Sequence, residues 1–216
     1  MAVRFDKKRI FGKEYYYGHK LSNYFNYEKT NTSRAFKRII SFIEVEGLQG
    51  KYLDIGCAFG FLIKEVSCFF DEVYGCDISE FAINKAKNYV PYADLRIVDL
   101  DESLPHPKEY FDCITAMDVL EHTKDFKKNF EKLIKRVKKG GYLIVSSPID
   151  AWPYRFFGFL DNDKTHISVL KEKQIIDVIN KNSMEIIKKS YFSPFPLLYK
   201  IPFIPFEIEL ILRKSF

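Results

Sequence analysis

Apolar positions in the central part of the chain form two repeating patterns, short continuous runs and longer amphipathic stretches. The short runs predict strands at residues 51–55, 72–76, 94–98, 111–116 and 141–147. The stretches between them predict helices at residues 60–70, 79–89 and 124–138, the last closed by Gly140 and Gly141. Strands that alternate with helices of this length favour an α/β doubly wound fold, a mostly parallel sheet with helices on both faces.

The two flanks of this core carry patterns of their own. Apolar residues from Phe36 to Ile43 follow helical spacing and predict a helix at 33–45. Residues 15–27 are rich in tyrosine and phenylalanine and are expected to form a lid rather than part of the sheet. The C-terminal patterns predict a helix at 171–181, a strand at 183–193, and either an edge strand or a short helix at 207–214.

Composition is that of a globular protein. The 216 residues are 47% hydrophobic and 29% charged, which is enough for a core that needs no disulfide bonds. The formal net charge of +5 is mild, and much of the excess lies on the predicted helix at 124–138. We interpret that excess as a solvated helix face, with a patch for an anionic partner as the alternative.

Cysteine spacing and the N- and C-terminal segments are used to predict the cellular location of the protein. The four cysteines form no C-x-x-C pair and have no histidine at zinc spacing, so we predict no metal site and a reduced, cytoplasmic location. The N-terminus has no apolar stretch typical of a secretory signal. Residues 192–206 are apolar but contain four prolines, so they predict no membrane-spanning helix. They are expected to cover the sheet edge, or to form an apolar wall or a membrane-surface contact.

A glycine-containing turn follows the first predicted strand, in the run Asp54-Ile55-Gly56-Cys57-Ala58-Phe59-Gly60-Phe61. Small residues between a strand and a helix let the backbone approach a ligand at the helix N-terminus. A dinucleotide fingerprint needs glycine at its first, third and sixth positions, which here are Gly56, Ala58 and Phe61. The turn therefore predicts a nucleotide-type cofactor other than NAD.

Acidic residues close or follow four successive predicted strands: Asp54, Asp77, Asp99 and Asp118. In a doubly wound sheet these strand ends lie side by side along one rim. Asp77 lies 21 positions after Gly56, where a carboxylate can accept from two ribose hydroxyls. We expect Asp99 to accept from an adenine amine.

Residues from about 48 to 147 resemble the S-adenosylmethionine (SAM) binding core of the class I SAM-dependent methyltransferases. The resemblance implies a Rossmann-like, seven-stranded sheet with a terminal antiparallel strand. It also implies a single domain at 1–216, with a lid at 1–46, a core at 48–147 and acceptor-side and C-terminal strands at 148–216. The residues predicted to contact SAM or its product S-adenosylhomocysteine (SAH) are Asp54, Gly56, Cys57, Ala58, Gly60, Phe61, Asp77, Ile78, Asp99, Leu100, Met117, Asp118 and Val119.

The later stretch from Asp161 to Ser168 is similar to a D-x-T-H sequence that follows strand five in many small-molecule methyltransferases. His166 is therefore the first candidate for a catalytic residue, as an acceptor contact or a general base. Weaker candidates are Asp163, Tyr16, Tyr17 and His122, the last of which we expect to organise its loop.

Transfer of a methyl group to a small-molecule acceptor by in-line displacement is the function that the resemblance implies. One alternative is methylation of RNA or protein, but the chain lacks the Pro-Pro pair that base-amine methylases of this fold carry after strand four. A catalytically silent SAM-binding scaffold is the other alternative, and oligomeric state stays open.

Overall fold

A seven-stranded sheet forms the centre of the protein. The computed structural model describes residues 10–18, 21–22, 24, 26–30, 33–151, 163–192 and 206–216. The strands are β1 Lys51–Ile55, β2 Glu72–Asp77, β3 Asp94–Ile97, β4 Phe111–Met117, β5 Val137–Pro148, β6 Met184–Phe192 and β7 Glu207–Lys214. The helices are α1 Lys13–Tyr17, α2 Tyr27–Thr30, α3 Ser33–Val45, α4 Phe61–Val66, α5 Glu80–Tyr89, α6 Phe126–Ile134 and α7 Glu172–Lys181.

The strand order is β3-β2-β1-β4-β5-β7-β6. Strands β1 to β5 pair in parallel, and β7 is antiparallel to both of its neighbours. The chain moves outward in opposite directions from β1 and β4, so the crevice between their carboxyl ends is the topological switch point where such sheets bind ligands. The predicted α/β doubly wound fold and its terminal antiparallel strand are confirmed.

Both faces of the sheet are covered, because neighbouring strand residues point to opposite sides. Leu53, Ile114 and Leu143 belong to one buried cluster together with residues of α6 and α7. Tyr52 and Ile144 belong to a second cluster with residues of α3, α4 and α5. A strand buried on both faces needs a continuous apolar run, which is why the pattern predicted these strands so closely.

Two predicted boundaries in the second half of the core were wrong. The helix expected at 124–138 ends at Ile134, and Gly140 and Gly141 lie inside β5, which begins at Val137. The register of β5 against β4 shifts between Phe111 and Cys113, so the strand continues through an irregularity. Gly140 has a φ of +76°, which glycine adopts readily.

The bounds or positions of other elements differ from the prediction by a smaller amount. The helix expected at 60–70 is α4 followed by a 3₁₀ turn at Ser67–Phe69. Residues 207–214 are a strand, but β7 is interior and β6 is the outer strand on that side. Within the described ranges, no helix combines the length and apolar character that crossing a membrane requires. The expectation for the apolar tail concerns mostly residues 193–205, which lie outside the described residues.

A buried chain of polar groups links β1 to β4 inside the sheet. The Thr115 hydroxyl donates to the Asp54 carboxylate at 2.6 Å, and the Tyr52 hydroxyl lies 2.6 Å from the same Thr115 oxygen. Since the single proton of Thr115 goes to Asp54, Tyr52 donates to Thr115. Burial raises the pKa of Asp54 to about 7, although the Thr115 hydroxyl opposes this shift.

Position 60 requires glycine because of both its backbone conformation and its neighbours. Its φ is +78°, and a Cβ built there would lie 2.7 Å from Cγ2 of Val90. We expect Gly60→Ala to lower the free energy of unfolding by about 2–4 kcal/mol, from left-handed strain plus overpacking. Gly47→Ala is the matched control, because Gly47 has a φ of +61° and a Cβ added there would meet no atom of the described residues within 4 Å. Urea unfolding of both variants measures the difference, and equal losses would contradict the Val90 contact.

The raised pKa of Asp54 makes stability depend on pH. Between the unfolded pKa of about 3.9 and the folded pKa, the folded chain holds a proton that the unfolded chain has released. The free energy of unfolding therefore falls as pH rises through this window and levels off above the folded pKa. We expect Asp54→Asn to reduce the loss between pH 5 and pH 8 by about 2 kcal/mol, as measured by urea unfolding of the ligand-free protein. Parallel pH curves for the two proteins would contradict the assignment.

Candidate active site

A cavity lies at the carboxyl ends of β1, β2 and β4, where sheets of this kind bind small molecules. Nine of the predicted cofactor residues line it: Gly56, Ala58, Asp77, Ile78, Asp99, Leu100, Met117, Asp118 and Val119. Asp54, Cys57 and Phe61 instead line a smaller adjoining pocket. Gly60 lines neither of these two pockets, and its role described above is conformational.

The turn after β1 is held tightly against the ends of the neighbouring strands. Gly56 has a φ of +69°, and its backbone N–H and that of Cys57 both donate to the Cys76 carbonyl, at 2.7 and 3.0 Å. A Cβ on Gly56 would lie 2.3 Å from Val119. Only glycine therefore fits where the turn after β1 meets the turn after β4. Ala58 also has a positive φ, of +45°.

Asp77 is buried at the end of β2, and its carboxylate is fixed by backbone groups. One oxygen accepts from the Ala58 N–H at 2.9 Å and the other from the Ser79 N–H at 2.8 Å. Burial raises the pKa of Asp77 to about 6, and these backbone donors oppose the rise. The two carboxylate oxygens have about four lone pairs, so Asp77 keeps acceptor capacity towards the cavity beyond its backbone donors.

The ends of β3 and β4 supply two more carboxylates. Asp99 accepts from the Asp101 N–H at 2.9 Å and lies beside Leu100 on the cavity wall. Asp118 has a φ of +53° and accepts from the Ser146 hydroxyl at 2.7 Å. Burial raises the pKa of Asp118, and the same Ser146 hydroxyl opposes the rise.

The loop at residues 163–168 is pinned to the 3₁₀ turn at Leu120–His122. The backbone N–H groups of Ile167 and Ser168 both donate to the Glu121 carbonyl, at 2.9 and 3.0 Å. The Ser168 hydroxyl donates to the Thr123 carbonyl at 2.7 Å. These bonds bring His166 to His122, with 4.8 Å between the ring centroids. His122 lines the cavity, whereas His166 lies beside it and is not part of the wall.

One hydrogen-bond chain decides which nitrogen of His122 carries the proton. The Thr165 hydroxyl donates to the Asp163 carboxylate and lies 2.8 Å from Nδ1 of His122. Because that hydroxyl has a single proton, Nδ1 of a neutral His122 is the donor and Nε2 keeps a lone pair. The weak candidate Asp163 thus contacts His122 through Thr165.

An aromatic cluster covers the cavity from the N-terminal side. Five of its residues line the wall: Phe11, Tyr15, Tyr16, Tyr24 and Tyr27. The Tyr15 hydroxyl donates to Asp163 at 2.8 Å, which joins this cover to the loop that carries His166. Burial, then the charge of Asp77, raises the pKa of Tyr16 well above its ordinary value, so Tyr16 stays protonated and is a poor base. Tyr17 is not part of the cavity wall.

Sequence reasoning missed two features of this site. Phe11, Tyr24 and Tyr27 were expected only as part of an aromatic lid, and nothing in their spacing shows which rings turn inward. Glu121 was not among the predicted site residues, yet its side chain is fully buried next to both histidines. A buried acid in a short polar run has no signal in the sequence pattern.

Comparison with known proteins agrees with this geometry. A family model described as a methyltransferase domain matches residues 24–188. A ubiquinone biosynthesis O-methyltransferase of Coxiella burnetii (strain Dugway 5J108-111) is 35% identical over 105 residues, 46% of this chain and 44% of the relative. One of the same name from Bartonella quintana is 28% identical over 167 residues, 71% of this chain and 67% of the relative. The match to the Coxiella protein thus spans less than half of that relative's length.

Solved structures show the same fold. A SAM-dependent methyltransferase from Clostridium acetobutylicum superposes with a TM-score of 0.68 at 17% identity, covering 87% of this chain and 93% of the other. At that identity the similarity concerns the fold alone. The family match, which covers most of the chain, carries the assignment. This chain belongs to the methyltransferase-domain family.

Proposed function

We propose that this protein transfers the methyl group of SAM to a hydroxyl oxygen of a small, partly aromatic molecule. The observation that carries the proposal is one cavity in which an acidic rim and an imidazole share the wall beneath an aromatic cover. The rim suits the nucleoside of the cofactor, and the imidazole and the tyrosines suit a planar acceptor with an ionisable hydroxyl. The predicted residue roles belong to this proposal.

The residues present fit SAM. The remaining acceptor capacity of Asp77 suits the two ribose hydroxyls, and Asp99 suits the exocyclic amine of adenine. Ile78 and Leu100 supply apolar surface for the faces of the ring. The turn at Gly56 and Ala58 leaves room for the methionine portion, which Met117 and Asp118 approach from the end of β4.

Asp54, Cys57 and Phe61 support the cofactor site from the adjoining pocket, which Gly56, Met117 and Asp118 also line. Asp54 and Cys57 are buried side chains, at 4% relative exposure each. Their contribution in this proposal is to hold the turn and β4 in place. Gly60 contributes in the same indirect way, through the conformation that starts α4.

Bound SAM supplies an electrophilic methyl group, so the protein has to hold the acceptor oxygen in line and receive its proton. Nε2 of His122 has the lone pair for that proton, and His122 is part of the cavity wall. His166, the predicted catalytic residue, contacts the His122 ring and lies 4.0 Å from both Glu121 and Asp163. In this proposal His166 orients His122, and the Glu121 carboxylate, 4.0 Å from Nε2 of His122, stabilises the charge that His122 acquires.

The names of the relatives support an oxygen acceptor, since both are O-methyltransferases of ubiquinone biosynthesis. An acceptor with a hydroxylated aromatic ring would pack against Phe11, Tyr15 and Tyr24, which line the cavity. The comparisons do not favour the RNA- or protein-modifying alternative or the silent scaffold. A cytoplasmic location and a membrane-surface contact of the apolar tail remain expectations from the sequence.

Removing the acceptor capacity of Asp77 should weaken cofactor binding. We expect Asp77→Asn to lower the affinity for SAH by about 10–100-fold, because it loses charge-assisted hydrogen bonds worth about 1.5–3 kcal/mol. Glu102→Gln is the matched control, an exposed acid shortly after Asp99 that should bind SAH as the unaltered protein does. Calorimetric titration measures both, and circular dichroism checks the fold. Equal SAH affinity in the two variants would remove Asp77 from the ribose site.

Measurements of turnover and of SAH affinity should distinguish the roles of the two histidines from those of the cofactor-binding residues. We expect His166→Ala to keep SAH affinity within about twofold and to lower methyl transfer by about tenfold or more, and His122→Ala to lower it further. The assay uses radiolabelled SAM with a hydroxylated aromatic acceptor and with its amine and thiol analogues. Normal turnover by His166→Ala with the preferred acceptor would exclude it from the mechanism. Transfer to the amine but not to the hydroxyl would contradict the oxygen acceptor.

A further inference from the structure

A carboxylate and two imidazoles converge beside the cavity. Glu121, His122 and His166 each offer one ligand atom, and these atoms all lie within 4.8 Å of one another. Both histidine side chains are 13% exposed, and that of Glu121 is fully buried. His122 belongs to the cavity wall, so whatever these three groups bind would face the cavity.

The Glu121 carboxylate lacks the partners that a buried acid needs. Neither of its oxygens has a hydrogen-bond partner among the residues that the structure describes. Its separations from Nε2 of His122 and from Nε2 of His166 are 4.0 Å each, too long for hydrogen bonds. The Ser147 hydroxyl is near enough to lower the pKa of Glu121, but it donates to the Pro148 carbonyl at 3.1 Å. Leaving a buried carboxylate uncompensated costs several kcal/mol, so this position calls for a positive charge or a proton.

Other acidic residues add negative charge around Glu121. Asp118 and Glu207, the latter at the start of β7, both act on Glu121 as negative charges. Arg38 pairs with Glu209 at 3.0 Å and lowers the pKa of Glu207, which burial raises.

The histidine geometry is that of a ligand. A metal-binding histidine usually donates its second ring N–H to an oxygen, which fixes the tautomer. Nδ1 of His122 donates to the Thr165 hydroxyl, which in turn donates to Asp163. Nε2 of His122 therefore presents its lone pair on the side where Glu121 lies.

The three ligand atoms lie within reach of a single cation. Protein nitrogen and oxygen ligands lie about 2.0–2.2 Å from a zinc-type ion, so two ligands at a tetrahedral angle are about 3.4 Å apart. The two histidine–glutamate distances are 4.0 Å, and the widest separation of the three atoms is 4.8 Å. Side-chain rotations that close these separations by about 0.6–1.4 Å would bring the atoms to that spacing.

We propose that Glu121, His122 and His166 form a binding site for one divalent first-row transition-metal ion. Two imidazoles and one carboxylate favour Zn²⁺, Co²⁺, Mn²⁺ or Fe²⁺ over Mg²⁺ and Ca²⁺, which prefer oxygen ligands. Three protein ligands leave at least one position open towards the cavity, as in catalytic rather than structural sites. The prediction of no metal site rested on cysteine spacing, whereas these ligands come from a 3₁₀ turn and a distant loop.

The role of the ion rests on the proposed function, although its binding does not. A hydroxyl bound to a divalent cation has a lowered pKa and releases its proton to water in the cavity. The oxygen then forms the new bond to the methyl carbon while the S–CH₃ bond breaks and leaves its electron pair on sulfur. Ligation uses the Nε2 lone pair of His122, so the ion replaces direct proton transfer to that ring.

Cobalt binding tests the site without any assay of activity. Chelator-treated, tag-free protein is titrated with CoCl₂ while the visible d–d absorption is recorded, and Zn²⁺ is then added in competition. We expect one Co²⁺ per chain, displaced by Zn²⁺ and not by Mg²⁺. Glu121→Gln and His166→Gln should weaken Co²⁺ binding by at least about 100-fold. Glu44→Gln, an exposed acid on α3, is the control that should bind as the unaltered protein does.

Thr165→Val provides a second, milder variant that tests the orientation of His122. It removes the acceptor for Nδ1 and should weaken Co²⁺ binding by about 10–100-fold. No Co²⁺ absorption in the unaltered protein, or equal Co²⁺ affinity in Glu121→Gln, His166→Gln and Glu44→Gln, would overturn the proposal. SAH titration of the same samples keeps the two proposals apart. Cobalt binding without SAH binding would count against the proposed function alone, and SAH binding without cobalt binding against the metal site alone.

Discussion

Desolvation of carboxylates at one edge of the sheet is the constraint on which the rest of this structure depends. Parallel strands place their terminal acids side by side, and burial penalises each negative charge. The protein compensates three of them with fixed donors: the Thr115 hydroxyl for Asp54, two backbone N–H groups for Asp77, and the Ser146 hydroxyl for Asp118. Such donors orient the carboxylates before a ligand arrives, which is what a cofactor site requires.

The loop at 163–168 joins the two ends of the cavity. Asp163 accepts from Tyr15 in the aromatic cover and, through Thr165, fixes the tautomer of His122. The aromatic cover and the His122 imidazole are therefore linked through one carboxylate.

Much of the fold could be predicted from the sequence, because strands buried on both faces need continuous apolar runs, and β1 was predicted to the residue. The end of α6 and the start of β5 could not be predicted. Glycines usually end helices, but here a register irregularity allows two of them to lie inside a strand. The acidic rim of the cavity was predictable for the same reason as the strands that carry it. The contact between His122 and Thr165 was not, because the two residues are 43 positions apart along the chain.

The most direct test of the account is a calorimetric titration of the unaltered protein with SAM, with NADH as the control ligand. The account predicts one SAM site per chain with a dissociation constant in the micromolar range and no heat of binding for NADH. Binding of NADH in place of SAM, or of neither ligand, would contradict it, because the oriented carboxylates at the sheet edge would then serve some purpose other than holding this cofactor.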